Sequence, residues 1–280
     1  MSFDPEEYLG TLPGVAEIDI DLAKVALALA ARDQPGVVLD RYIHHLKKIA
    51  EDTKAQYEAL IAAGAADDVG TRLAALKHSV VTVNGYGGDI ETYNDLQNAS
   101  LLRVIDRRKG LSVTLAILYL HAAQTQGWDV AGLDFPGHFL CRIEKDRKRL
   151  IFDPFYDCKI LEAPDLRDFI KQVQGKEAEL SAHYFLPASN RDILMRLQNN
   201  IKYRQIESED YAGALKTVEG MRYIDSAEYR LLLDAGVLYA RTGQTISAIE
   251  ALENYIKKAP KDRDRHDAAI LLQELKNSLQ

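Results

Sequence analysis

Cysteine, tryptophan and long apolar runs are scarce in this chain of 280 residues, which contains two cysteines and one tryptophan. Two cysteines, Cys141 and Cys158, are too few for a disulfide framework or a four-ligand zinc site. The sequence also lacks C-x-x-C and H-E-x-x-H patterns, and it carries no cofactor motif. We therefore expect no structural metal and no cofactor.

The longest uninterrupted apolar run covers residues 25–31, which is well short of the roughly 18 residues that a membrane-spanning helix needs. Acidic residues precede this run, whereas a signal peptide carries basic residues at that place. We therefore expect a cytoplasmic protein that does not associate with membranes.

The charge balance is mildly acidic, with 35 Lys and Arg against 42 Asp and Glu and a formal net charge of −7. Sequence-independent DNA binding depends mostly on neutralising phosphates, so we expect no nucleic-acid partner. The content of 47% hydrophobic and 28% charged residues is typical of globular proteins. The length suggests one large domain or two modest ones.

Helical periodicity dominates the first half of the chain. Apolar residues recur at spacings of three and four, which predicts N-terminal helices over residues 20–31, 39–63 and 71–83. A short helix is predicted over residues 101–110. Residues 112–126 are apolar on most faces, so we expect them to form the buried core helix of the protein.

A small antiparallel sheet is predicted next, from strand-forming runs at residues 130–135, 139–143 and 150–155. A two-residue turn at Lys145-Asp146 places His138 directly opposite Asp153, because opposed residues point to the same face. Cys141 then points to the other face. The turn lacks Gly and Asn, so a longer loop with a shifted register remains an alternative.

The last third is helical and repeats with a period of 34 residues, which is typical of tetratricopeptide repeats. One copy is clear and the other is degenerate. A domain boundary at Pro187 divides the chain into residues 1–187 and 188–280, and residues 266–279 are predicted to cap the repeats. The repeated positions are Ala214, Val218 and Met221 in the first copy and Ala248, Leu252 and Tyr255 in the second.

Three residues follow one another in an order that suggests acyl-transfer chemistry: Ser112 at a helix start, His138 on a following strand and Asp153 on the paired strand. A nucleophile, a base and an acid that orients the base form the general logic of such sites. The alternative, which we favour, is that Ser112 is the N-cap of its helix. His138 and Asp153 are then a buried pair retained for structure.

A second candidate site lies just before the core helix, where basic residues cluster. Arg107 and Arg108, together with Arg103 and Lys109, are candidates for binding an anionic group or an acidic partner segment, and Asn98 is a further candidate binding residue. The simpler interpretation is a solvated face paired with Asp106. Asn98 either lines the cleft or fixes a loop, and we favour the loop. The pair His44-His45 is interpreted as surface.

Four motifs together resemble the SirB-type bacterial family of transglutaminase-like proteins, whose members also carry tetratricopeptide repeats. The resemblance covers roughly residues 35–275. It implies an α+β fold with N-terminal helices, a transglutaminase-like (papain-like) core with a small antiparallel sheet, and an all-α repeat tail. The motifs are NASLL at 98–102, DRRKGLSVTL at 106–115, FPGHFL at 135–140 and FDPF at 152–155.

The resemblance also implies which residues would act. In catalytic relatives a Gly-x-Cys motif opens the core helix and supplies the nucleophile, whereas this chain has Ser112 there. His138 and Asp153 match the family's His and Asp. A Cys at a helix start is readily held as a thiolate, but a Ser must lose its proton to a base during attack.

Three functions follow from these observations. We favour a non-enzymatic, catalytically degenerate protein that binds a protein or peptide through its cleft or its repeat surface and has a regulatory role. The rival is an acyl-transfer enzyme or amide hydrolase that uses Ser112, His138 and Asp153. The third is a structural subunit with a vestigial cleft.

Overall fold

The structure, a computed structural model, describes residues 3–260 and 262–278. It divides into two compact units, one formed by residues 16–197 with the N-terminal residues up to 8, the other by residues 9–15 with those from 198 onward. The boundary that we placed at Pro187 stays a prediction. No helix in the described ranges is long and apolar enough to cross a membrane.

The N-terminal helices form largely where the periodicity predicts them, and one more helix precedes them. Acidic N-caps begin two of them: Asp21 accepts a hydrogen bond from the Lys24 N–H at 3.0 Å, and Asp68 accepts one from the Thr71 N–H at 2.9 Å. The helices are α1 (Pro5–Thr11), α2 (Leu22–Ala31), α3 (Asp40–Ala62) and α4 (Val69–Lys77), and a π-helical turn (His78–Val83) continues α4.

The core helix is confirmed. Helix α5 (Leu101–Arg107) leads into α6 (Ser112–Thr125), and every residue from 111 to 120 is buried. Helix α6 packs against α3 on one side and against the sheet on the other, which explains why it is apolar on most faces. Helix α7 (Ala163–Gln174) follows the sheet.

The strands are β1 (Gly87–Gly88), β2 (Lys109–Gly110), β3 (Asp129–Leu133), β4 (Leu140–Lys145), β5 (Lys148–Asp153) and β6 (Lys159–Leu161). The main sheet is antiparallel, as predicted, and has four strands in the order β3-β4-β5-β6. The pair β1 and β2 is separate and parallel, and it lies just before α6.

The predicted hairpin register is wrong by two residues. Arg142 lies opposite Ile151 instead of Arg149, and the turn consists of Asp146 and Arg147, which have φ values of 50° and 64°. Two successive positive φ values fit the right-handed twist of the flanking strands. A slip of two residues keeps every side chain on its predicted face, so hydrophobic alternation could not detect it.

The second unit is entirely helical within the described residues. From residue 190 onward the helices are α8 (Asn190–Glu207), α9 (Tyr211–Ile224), α10 (Arg230–Arg241), α11 (Thr245–Lys258) and α12 (Asp262–Ser278). Helices α9 and α11 begin 34 residues apart and end 34 residues apart, which confirms the period read from the sequence. The predicted cap is α12, and its last predicted residue, Leu279, lies outside the described residues.

Small residues recur in the repeats because the paired helices approach closely. A Cβ atom on Gly236 of α10 would lie 2.8 Å from both Cγ and Cδ2 of Leu252 on α11. Leu252 and Ala248 are fully buried at this contact. Each helix thus buries its apolar stripe against its neighbour, as repeat architectures require.

Candidate active site

Ser112 is the first residue of α6 and not its N-cap. Leu111 occupies the cap position in an extended conformation, and no side chain caps the helix. The Ser112 hydroxyl oxygen instead accepts a hydrogen bond from the backbone N–H of Phe139 at 3.3 Å. The interpretation of Ser112 as an N-cap is therefore wrong, because the helix begins at Ser112 itself, one residue earlier than a capping serine at this position requires.

His138 and Asp153 meet, although the register that predicted their meeting is wrong. His138 Nε2 lies 2.9 Å from Asp153 Oδ1, and the two side chains are 11% and 1% exposed. His138 precedes β4, in a turn where Gly137 has φ of 73° and the His138 N–H donates to the Phe135 carbonyl. The turn, and not direct strand pairing, brings the imidazole to the carboxylate.

Aromatic rings enclose the imidazole of His138. The Phe169 ring is stacked on it at 5.4 Å and 7°, Tyr156 is stacked at 6.4 Å, and Phe155 presents its edge at 6.0 Å. None of these three aromatic residues was predicted from the sequence as a site residue. The only signal for Phe155 was its place in the FDPF motif, and nothing local marks Phe169 on α7.

The three candidate residues lie in one region of the structure, but the hydrogen bond that would join the nucleophile Ser112 to the base His138 is not formed. Within the described residues, Ser112 and His138 share no hydrogen bond, and His138 Nδ1 has no hydrogen-bond partner. The N–H groups of Ser112 and Val113 likewise find no acceptor there. Free N–H groups at a helix start favour negative charge, so the start of α6 is a favourable position for a negatively charged atom.

Neither native cysteine replaces the missing thiol. Cys141 is fully buried, and burial raises its pKa well above the usual value. Burial also raises the pKa of Cys158 to about 12. Reactive cysteines need an accessible, stabilised thiolate, and both of these thiols remain protonated at neutral pH.

Comparison with known families decides the assignment. The Transglutaminase-like superfamily matches residues 40–199, which is more than half of the chain, and the Tetratricopeptide repeat family matches residues 201–273. The chain belongs to the transglutaminase-like superfamily. Its matched region contains Ser112, His138 and Asp153 together, and the repeat match covers helices α9 to α11.

Several bacterial proteins are similar to this transglutaminase-like protein over much of its length, and one of them is named SirB1. A UPF0162 protein of Xylella fastidiosa strain Temecula1 is 29% identical over 68% of this chain and 68% of its own length. A UPF0162 protein of strain 9a5c is 25% identical over 89% and 88%, respectively. Protein SirB1 of Salmonella typhimurium is 22% identical over 57% and 60%. No solved structure gives a significant match.

Asn98 fixes the loop that precedes the core helix of this transglutaminase-like protein. Its buried side chain donates to the Thr92 carbonyl at 2.7 Å and accepts from Arg107 Nη1 at 2.9 Å. Its backbone carbonyl accepts hydrogen bonds from the Leu111 N–H at 3.0 Å and from the Thr114 hydroxyl at 2.9 Å. These contacts hold the start of α6 in place, while ligand binding by Asn98 stays a prediction.

The two candidate arginines have separate partners, and neither pairs with Asp106. Arg107 forms an ion pair with Asp89 at 3.0 Å. Arg108 donates to His45 Nε2 at 2.8 Å and to the Tyr86 hydroxyl. His45 is half-buried, so its interpretation as a surface residue is wrong. The roles of Arg107 and Arg108 in binding stay predictions.

We expect Asp89 to make stability depend on pH in the acid range. Hydrogen bonds from the Thr92 hydroxyl and N–H, aided by Asn98 and Arg107, lower the pKa of Asp89 to about 2. A folded-state pKa below the unfolded value near 3.9 gives stabilisation that is present above about pH 4 and disappears as pH falls toward about 2. The free energy of unfolding in urea should fall more steeply with decreasing pH for wild type than for Asp89→Asn. Parallel pH dependences of the two proteins would contradict this prediction.

Within the described residues, no group of three or more His, Cys, Asp or Glu side chains is arranged to hold a metal ion. The candidate site of this family member therefore consists of the His138–Asp153 pair, the Ser112 hydroxyl and the surrounding aromatic rings.

Proposed function

We propose that this protein is a catalytically degenerate transglutaminase-like protein that acts by binding other proteins, in a regulatory role in the cytoplasm. One observation carries the proposal: the Ser112 hydroxyl accepts the Phe139 N–H and has no hydrogen bond to His138 within the described residues. A serine nucleophile needs an adjacent base to take its proton. The net charge of −7 supports partners other than nucleic acid.

The repeat unit offers a surface for such binding. A cavity of about 340 Å³ opens beside α10, where Ile206 and Val237 are each 38% exposed. An ion pair of 2.6 Å between Lys202 and Asp234 holds α8 and α10 together at this cavity. Exposed apolar side chains in a concave surface are typical of peptide-binding sites.

The proposal is tested by comparing the proteins that three forms of the full chain capture from a lysate. Val237→Asp should reduce capture of the principal partner by about tenfold or more, because a carboxylate in an apolar contact is desolvated without compensation. Ile160→Asp, at a 47% exposed site on β6, is the matched control. Capture that is equal in all three forms, or absent from wild type, would remove the support for binding through the repeats.

The second candidate is the acyl-transfer enzyme or amide hydrolase, and the His138–Asp153 pair favours it. Nε2 is held by Asp153 at 2.9 Å, so Nδ1 is the nitrogen left to act as a base. A serine-directed acylating probe distinguishes the two functions. The hydrolase requires labelling of Ser112 that disappears in Ser112→Ala, whereas the degenerate protein shows no labelling at that residue with any of several probes.

A further inference from the structure

A second polar cluster lies outside the candidate active site, at the C-terminal end of α5. Arg108 has a left-handed backbone conformation with φ of 63°. Its guanidinium donates to His45 Nε2 at 2.8 Å and to the Tyr86 hydroxyl, and it lies 4.7 Å above the centre of the Tyr86 ring. These contacts hold the guanidinium in one orientation.

Both hydrogen-bond partners of Arg108 are neutral. An arginine only donates, so the Nε2 atom of His45 must accept and the ring must be neutral. Burial and the charge of Arg108 lower the pKa of His45 to about 4, and burial raises the pKa of Tyr86. Within the described part of the chain, Arg108 therefore pairs with no carboxylate.

The neighbouring charges do not supply the missing counter-ion. Asp106 already accepts from the Tyr42 hydroxyl at 3.0 Å and pairs with Arg41 at 3.6 Å. A pocket of about 230 Å³ is lined by these three residues together with Ile105 and Arg108. Two guanidinium groups and one carboxylate thus face a single small pocket, which leaves one positive charge without compensation.

We propose that this pocket binds the carboxylate of a ligand, with Arg108 as the main donor and Arg41 as the second. A singly charged carboxylate balances the pocket, whereas a phosphate dianion would leave an excess negative charge beside Asp106. The planar fork of a guanidinium also matches a carboxylate in a bidentate pair. The proposal does not depend on the proposed function, because neither the active-site cleft nor the repeat cavity takes part.

The test uses the full chain and follows the side-chain NMR resonances of His45, which touches the guanidinium of Arg108. Acetate and N-acetylglycine are the carboxylate probes, and N-acetylglycinamide and chloride are the neutral and simple-ion controls at equal ionic strength. We expect a saturable shift of His45 with both carboxylates and none with the controls. Equal affinities assign the site to any small carboxylate, whereas tighter binding of N-acetylglycine assigns it to the C-terminus of a peptide.

Variants separate this site from general charge effects. We expect Arg108→Gln to abolish saturation and Arg41→Gln to weaken binding by about tenfold, while Arg103→Gln on the exposed face of α5 changes it by less than about twofold. Arg41 is exposed, so Arg41→Gln keeps the test valid if Arg108→Gln does not fold. Unchanged binding in Arg41→Gln, no saturable shift in wild type, or tenfold tighter binding of methyl phosphate than of acetate would overturn the proposal.

Discussion

Ser112→Cys is expected to introduce a thiol that iodoacetamide alkylates at neutral pH about tenfold faster than free cysteine. Ser112 is the first residue of α6, beside free helix N–H groups. Its hydroxyl accepts the backbone N–H of Phe139, the residue after His138. The helix start and the nearby imidazole both stabilise a thiolate. Most of the introduced thiol would therefore be ionised at neutral pH, whereas only a few per cent of free cysteine is ionised there. Mass spectrometry of timed alkylation measures the rate.

The native chain provides a low background for this experiment. Cys141 and Cys158 are buried and their pKa values are raised, so the wild-type protein should react far more slowly. In Ser112→Cys, adding His138→Gln should return the rate to that of an ordinary thiol. If the introduced thiol reacts no faster than free cysteine while the fold is intact, the site does not retain the electrostatics of a thiol enzyme.

Asp153→Ala is expected to destabilise the first unit by about 3 kcal/mol. The carboxylate is 1% exposed, and its Oδ1 accepts from both His138 Nε2 at 2.9 Å and the Phe155 N–H at 2.8 Å. Removing it leaves two buried donors without an acceptor. Unfolding can be followed by the fluorescence of Trp128, the single tryptophan, which is buried in the first unit.

A matched substitution shows whether this loss comes from the buried pair. Asp168→Ala removes an exposed carboxylate from α7 and should change the free energy of unfolding by less than about 0.5 kcal/mol. Asp153→Asn keeps an acceptor oxygen for the Phe155 N–H, so it should lose less than Asp153→Ala. Equal stabilities of Asp153→Ala and Asp168→Ala would show that the His138–Asp153 pair contributes nothing to the fold.

The sequence alone was sufficient to predict the secondary structure wherever the pattern was local. Helical periodicity identified the N-terminal helices and the buried helix α6, since a spacing of three and four is set by the helix itself. The 34-residue period placed α9 and α11, because close helix packing requires small residues such as Gly236 at regular positions. The order of Ser112, His138 and Asp153 along the chain, together with the family resemblance, suggested one candidate site.

Only the tertiary structure decided what those candidate residues contact. The acceptor role of Ser112 depends on the Phe139 N–H, which is 27 positions away, and the environment of His138 depends on Phe169 from another helix. The contact between Arg108 and His45 joins residues 63 positions apart. No periodic pattern encodes such contacts, because they arise when separate elements pack, just as a two-residue slip of the hairpin leaves the hydrophobic alternation unchanged.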